Sequence, residues 1–458
     1  MFSTLRKAWR VADLRHKLLF TLLVIVIYRL GNVLTVPFVD VELLQEQIAS
    51  MGTSMFGLLN IMSGGSFSAA TIFALGVQPY INASIIIQLL TVAIPSLEHI
   101  AKEEGEIGKK KIKRYTRIAT FLIAIVQSIG YYFMLSRYGL LVTEASVPVA
   151  VIAIVVVAVL TAGASFITWL GEKVEKKGVG NGISIILLVG ILSRIPSGIA
   201  SVVSNISVWW QMRSESVDSL VEAGLTKDIA EAYLKMGMHP AIAAALLVGL
   251  LLLLVLIVFV QDAERRVPVQ YAKRQVGTKM YGGNASYIPF KVSMTGVLPV
   301  IFAQSLLTLP VTIWSFAGIP EQGTVSYHIY EAITTYSPIY LVVYFLFIIL
   351  LSYFSASIQC DPVEMSNQLK KNGGMVPGYR PGNPTTDLFR KCLKSVTLFG
   401  AIYLGIVAIS PLTVSHFAGS ASIAIGGTSV IIVVGVALET MKAVESQLSM
   451  YNYKGFIR

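Results

Sequence analysis

Charge is scarce in this chain of 458 residues. Only 13% of its residues are Asp, Glu, Lys or Arg, against about a quarter in an ordinary soluble protein. With 55% hydrophobic residues and a mean hydropathy of +0.71, a soluble globular fold is excluded and an integral membrane protein is expected. Cysteine is scarce too. Cys360 and Cys392 both fall on the side assigned below to the cytosol, so neither a disulfide framework nor a metal site is indicated. The five histidines (His16, His99, His239, His328 and His416) lie in loops or at span ends. There is no G-x-S-x-G, no H-E-x-x-H and no phosphate-binding loop, and nothing pairs a nucleophile with a base. The expectation is a protein that is not an enzyme, with no catalytic residue, metal or cofactor. Alternating strand patterning is also missing, which argues against a membrane barrel.

What the chain has instead is long apolar runs. Ten occur, at roughly 18–37, 76–95, 118–138, 147–170, 181–205, 240–261, 294–318, 338–360, 393–413 and 420–440. Each approaches or exceeds the ~20 residues that cross a bilayer as a helix. The basic, then apolar, N-terminal stretch has too long an apolar part for a signal peptide and ends at Val36-Pro37 without a small-residue cleavage site. It reads as a first retained span. Thirty of the 36 Lys and Arg, with 14 acidic residues, fall in alternate connections beginning with the N-terminus; the opposite connections hold five, with 11 acidic residues. Positive residues stay inside, so both termini are expected in the cytoplasm.

One eight-residue pattern recurs 220 positions apart. Residues 76–83 (Gly-Val-Gln-Pro-Tyr-Ile-Asn-Ala) and 296–303 (Gly-Val-Leu-Pro-Val-Ile-Phe-Ala) share G-V-x-P-x-I-x-A, each near the start of the second span of its half. If the spans divide five and five, the odd number turns the second half upside down, and inverted repeats place the working site where they meet. The expected organisation is an N-terminal half (1–210), an external connector (211–239), a C-terminal half (240–440) and a cytoplasmic tail (441–458). The polar stretch 206–239 suggests a short amphipathic helix or two, or a pliable connector.

Apart from Arg29, no charged residue sits deep within a span by this reading, which argues against an ion-coupled transporter and for a passive path sealed by packing. Val77 and Ile81 share a helix face, as do Ile183 and Leu187, and Ile301 is the repeat-mate of Ile81. Branched aliphatic residues meeting at a constriction would expel water yet yield to a passing chain. Residues 54–75 carry no charge, are broken by Gly64-Gly65, and read as a re-entrant half-helix packed inside the protein. Two cytoplasmic loops stand out. Residues 264–291, with Arg265-Arg266, Val267-Pro268-Val269-Gln270-Tyr271, Lys273-Arg274 and Lys279, look like a projecting hairpin; 367–382 is basic and punctuated by Gly and Pro. Both suit docking onto a large acidic partner such as ribosomal RNA, or onto a motor ATPase.

Several strings, in order and at the right spans, resemble the SecY family of protein-translocation channels. They are Met62-Ser63-Gly64-Gly65, Phe73–Gly76 through Pro79-Tyr80-Ile81, Ala83–Gln88, Gly178–Ser184, Tyr271–Arg274, Pro377–Gly382 and Gly426–Ser429. The resemblance covers nearly the whole chain. It implies an all-α membrane fold, a clamshell of ten helices in two inverted halves around an hourglass pore. It implies a pore ring of Val77, Ile81, Ile183, Leu187, Ile301 and Ile432, and a plug at about 60–75 that includes Ser63, Gly64, Gly65, Phe67 and Ile72. A lateral gate between spans two and three on one side and seven and eight on the other would carry Asn82, Gln127 and Ser305; Arg266, Lys273, Arg274, Lys279 and Arg380 would face the motor or ribosome. Implied partners are SecE and often SecG, the SecA motor, the ribosome, unfolded preproteins with their signal sequences, and the lipid bilayer. The place implied is the bacterial cytoplasmic membrane.

The implied function is to move unfolded polypeptides outward and release apolar helices sideways, with energy supplied from outside. The alternatives are a secondary transporter of small solutes and an insertase without secretion. Against the family pattern, the loop tip Gly277-Thr278-Lys279 is less basic than in many relatives, the connector 206–239 is longer, and Val77 and Leu187 stand where isoleucine is usual.

Overall fold

A computed structural model describes all residues except 1, 51–59, 61–62, 103–104, 143–146, 213–239, 272–273, 277–278, 282–284, 293–295, 318–322, 335–337, 419–426 and 455–458. Helices dominate, as expected where hydrocarbon forces every backbone group to find its partner within its own segment. In chain order they are α1 (Phe2–Arg10), α2 (Ala12–Gly31), α3 (Val41–Ser50), α4 (Gln78–Ala93), α5 (Pro95–Lys102), α6 (Gly105–Arg137), α7 (Val149–Lys177), α8 (Gly182–Leu192) and α9 (Ile195–Met212). There follow α10 (Pro240–Asp262), α11 (Leu298–Ala317), α12 (Val325–Thr334), α13 (Pro338–Gln359), α14 (Pro362–Lys371), α15 (Asn383–Ala418) and α16 (Gly427–Lys454). A helix stands in each of the ten apolar stretches. By length and composition, six described helical runs can cross a membrane alone, and a seventh if the bent pair α4–α5 counts as one. That pair turns through 107° at Ile94-Pro95. Pro95 drives Ile94 into extended backbone (φ −109°, ψ 113°) and so ends the helix.

The repeated motif has one local geometry in both places. Gly76 (φ +53°) and Gly296 (φ +60°) take left-handed turns that most residues avoid, just before α4 and α11. The following valine's carbonyl then accepts the first helical bond, Ile81 N–H to Val77 O (3.1 Å) and Ile301 N–H to Val297 O (3.3 Å). Pro79 and Pro299 sit in the first turn, where a missing N–H costs nothing.

The helices before and after the 213–239 stretch meet where α9 touches α10 and along two further seams. On one, α11 packs against α4 and α6; on the other, α16 packs against α8 and α1. Within each group, α6 lies between α4 and α7, and α13 between α11 and α15.

On the polar side, five short strands extend the helical fold: β1 (Glu264–Tyr271), β2 (Arg274–Val276), β3 (Lys279–Tyr281), β4 (Ala285–Lys291) and β5 (Gly374–Met375). The expected hairpin is there as β1 paired antiparallel with β4, from Glu264↔Lys291 to Gln270↔Ala285, and β2–β3 pair beyond it. Val267 and Val269 point inward, while Arg266, Pro268 and Gln270 point out, the period of two that a half-buried strand needs. Unforeseen is that β5, from the second basic loop, adds to the other edge of β1. Phe290, Leu369, Val376, Phe389 and Cys392 close a small apolar core beneath this sheet.

Two readings need correction. Residues 63–75 form successive turns instead of a half-helix, because two left-handed glycines and serine-to-backbone bonds break the helical ladder; of the earlier part of the expected stretch, 54–62, only Asn60 is among the described residues. Arg194 lies inside the helical run 182–210 and is half-buried, so the spans are not uncharged apart from Arg29. The stretch expected to hold a short external helix is described only to Met212, where it continues α9; the rest lies outside the described residues.

Candidate functional site

The six aliphatic residues singled out in sequence come from four helices and fall in one extended apolar core. Val77, Ile81, Leu187, Ile301 and Ile432 are 4, 4, 3, 4 and 1% exposed and belong to a single apolar cluster, with Ile183 packed against it. Val77 caps α4 and Ile81 lies one turn in; Leu187 is on α8, Ile301 on α11 and Ile432 on α16. The N-terminus of α8 is set by Asn181, whose side-chain oxygen accepts from the N–H groups of Ile183 (3.1 Å) and Ser184 (3.4 Å). Gly171 of α7 leaves room for the Ile183 side chain, which a Cβ there would meet at 2.4 Å.

Segment 63–77 packs beside this cluster. The Ser63 hydroxyl donates to Asn60 O (3.1 Å) and accepts from the Phe67 N–H (3.1 Å). Phe67 meets Tyr131 edge-on at 5.0 Å, and the Tyr131 hydroxyl donates to Phe67 O (2.8 Å). Ile72 N–H donates to Leu34 O (2.9 Å), Val36 N–H to Ala70 O (2.8 Å), and Thr35 bridges Thr71. A Cβ on Gly163 of α7 would strike the Ile72 carbonyl at 1.8 Å, so only glycine permits that approach. Phe73 stacks on Tyr28 (5.8 Å) and Phe166 (6.1 Å), which joins the segment to α2 and α7.

The third feature is polar. Asn82 on α4, Gln127 on α6 and Ser305 on α11 are 2, 9 and 0% exposed, on three helices that pack against one another. Among the described residues, Asn82 Oδ1, Gln127 Oε1 and Ser305 Oγ have no hydrogen-bond partner, nor has the neighbouring Gln304 Oε1. Such orphans cost roughly 1–3 kcal/mol each, so this contact between helices carries a polar penalty.

A family model described as SecY matches residues 71–441. Across the whole length of both chains, a protein translocase subunit SecY of Streptomyces galbus is 40% identical and one of Bacillus subtilis 39%. The chain belongs to the SecY family. Solved structures agree on the fold. One reported as a protein-conducting channel has a TM-score of 0.56 at 16% identity, covering 94% of this chain and 92% of that one. A SecY channel whose plug domain is described as stabilising the closed state gives 0.58 at 17% over the same shares. Sec61 in a canine ribosome–channel complex gives 0.55 at 16%, again over the same shares.

Of the basic residues expected from the sequence to face a partner, Arg266 is the best defined. Its guanidinium pairs with Glu264 (2.7 Å) and lies over the Tyr287 ring at 4.7 Å, so it is held flat on the outer face of the sheet. Arg274 and Lys279 sit on β2 and β3, Lys273 lies outside the described residues, and Arg380 is exposed beyond β5. Through β5 the two basic loops form one unit, which loop composition alone does not reveal.

Sequence reasoning missed two charged features. Arg117 of α6 makes a two-pronged ion pair with Glu172 of α7, which is almost fully buried, and Lys113 pairs with Glu175 a turn away. The signal was present as charges spaced three or four apart on two adjoining spans. The other is Arg194.

Proposed function

We propose that this chain is the pore-forming subunit of a protein translocase, a channel that passes unfolded polypeptides through a membrane and lets apolar helices out sideways. As a SecY family member it is a multi-pass membrane protein and a subunit of a protein-conducting channel. What carries the finer reading is one observation: five aliphatic side chains from both halves of the chain share one buried apolar cluster, and a sixth, Ile183, packs against it. Such a cluster is a barrier to ions that a chain in transit can push apart. In this reading residues 1–210 and 240–440 are inverted halves, and the shared geometry at Gly76 and Gly296 supports their equivalence.

Residues 63–75 are the plug, and the gate opens between α4 and α6 on one side and α11 and α13 on the other. A signal sequence binds the separated seam and supplies partners to Asn82, Gln127 and Ser305, shifting a closed state to an open one. The basic sheet faces the cytoplasm, where a ribosome or the SecA ATPase docks and drives transport, and both termini lie on that side of the bacterial cytoplasmic membrane. SecE, and SecG where present, complete the complex.

Photo-crosslinking tests this. Probes at Ile81 and Ile301 in membranes carrying a stalled secretory precursor should both form adducts with it, and deletion of the signal sequence should abolish them. Inserted protein that yields no adduct at either position would discredit the pore.

A further inference from the structure

The break between α8 and α9 holds the Gly64-Gly65 turn. Gly64 (φ +71°) approaches Gly190 so closely that a Cβ would lie 2.8 Å from its carbonyl oxygen and 2.9 Å from its Cα. The Ser193 hydroxyl makes its shorter bond to Gly190 O of its own helix (2.5 Å) and lies 3.3 Å from Gly64 O. The adjoining Ser63 carbonyl accepts from the Tyr28 hydroxyl at 3.5 Å. Over Gly65 (φ +91°) lies Arg194: its Nε and Cζ stand 3.4 Å from the position a Cβ would take. Among the described residues Arg194 makes no salt bridge, and its Nε is buried without a hydrogen-bond partner. An arginine inside an apolar helical run is expensive and by default marks function. Here the helix is interrupted at the same two residues that grip the turn.

We propose that Arg194, with Ser193 beside it, forms a latch that holds residues 63–75 in their closed position, the flat guanidinium covering the Gly65 turn and the Ser193 hydroxyl shared between the Gly190 and Gly64 carbonyls. The inference rests on the reading of that segment as the plug. The latch is weak by construction. Closing leaves Nε dry and unpaired, and withdrawal of the turn lets water reach it, so the contact holds without locking. Planarity matters: a lysine has the charge but not the flat face.

The test uses the full chain in its native membranes, with Cys360→Ser and Cys392→Ala and a single reporter, Ser68→Cys. An impermeant maleimide is added on the side opposite the basic loops, and resting ion conductance is recorded in planar bilayers. Arg194→Ala should raise both labelling rate and conductance roughly three- to ten-fold, the range expected for one lost packed or hydrogen-bonded contact. Arg194→Lys should resemble Ala, Arg194→Gln, with its planar amide, should return toward wild type, and Ser193→Ala should give roughly a two-fold rise. If Arg194→Ala fails to insert, the Lys, Gln and Ser193 variants decide.

Wild-type labelling and conductance in every latch variant overturn the proposal, as does an equal rise in Lys and Gln, which would mark a merely structural role. Ile81→Asn with Ile301→Asn separates the two levels. A leak there, with silent latch variants, leaves the channel standing and removes the latch. Silence in both removes the channel reading and the latch with it.

Discussion

The apolar cluster and the polar seam share helices α4 and α11 yet are built on opposite rules. In the cluster, Val77, Ile81, Leu187, Ile301 and Ile432 bury aliphatic groups that need no partner. Each such side chain is worth roughly 1.5–3 kcal/mol when taken out of water. In the seam, Asn82, Gln127, Gln304 and Ser305 are buried just as deeply with atoms left unpaired. One region therefore rests in a well and the other on a slope. A barrier against ions should be costly to open by chance, whereas a gate should lie close enough to balance for an incoming segment to tip it. Burial alone would not distinguish them; the satisfaction of polar atoms does.

The largest effect should come from making the cluster resemble the seam. Ile81→Asn with Ile301→Asn places two amides in the apolar cluster, and resting conductance in planar bilayers should rise on the order of tenfold or more. Conductance at the wild-type level would take these residues out of the constriction and the contrast with them.

Second in size is the ion pair on the flank of α6 away from α4. Arg117→Ala strands the buried Glu172 and should cost about 3 kcal/mol, near the low end for a broken buried pair. Glu172→Gln leaves an Arg117 that is 56% exposed and can rehydrate, so it should cost markedly less. Thermal melting of the purified protein reads this order, and equal losses would show that Glu172 is not dry. The pair ties α6 to α7, so if α6 moves when the seam opens, α7 moves with it.

How much of this was legible in the sequence depends on the range of the contact. The spans, the hairpin and all of the aliphatic set but Ile432, which the family resemblance supplied, follow from local pattern: apolar runs, the inward valines at 267 and 269, spacing by four, and a repeated octapeptide whose glycines take the same left-handed turn. What stayed hidden is set by distant partners. Gly64-Gly65 reads as a helix breaker, but that its turn lies against Gly190 and Arg194 depends on residues about 130 positions away. Arg194 reads in sequence as one of the five positive residues of the external side and its span ends, which hides its place inside a helical run. The β5 strand is two residues long and exists only because β1 offers an edge, so no periodicity announces it. The gate residues came from family resemblance; their unpaired atoms could come only from structure.

The converse substitution makes the seam resemble the cluster. Gln127→Leu replaces a buried amide by a side chain of similar size and removes one orphan, as Asn82→Leu does on the facing helix. Either should stabilise the closed seam by roughly 1–3 kcal/mol. A signal sequence should then photo-crosslink at the seam several-fold more slowly while resting conductance stays unchanged. If the rate is unaffected, those atoms find partners in the membrane and the seam is no less satisfied than the cluster.

The smallest effect should come from an ion pair that resembles Arg117–Glu172 in chemistry and differs in exposure. Arg266 and Glu264 lie at the surface of the sheet, with side chains 61 and 23% exposed, and Arg266 keeps its place over Tyr287 without the carboxylate. Surface pairs are screened by salt and add little to stability. Glu264→Gln should therefore leave the melting temperature where it is, in contrast to Glu172→Gln two spans earlier. The freed charge should show only in association: ribosome or motor binding should tighten slightly at low salt, and the difference should vanish as salt rises. A drop in melting temperature matching that of Glu172→Gln would mean that the identity of the charges, and not their burial, decides their worth in this fold. The contrast between the cluster and the seam would then lose its basis.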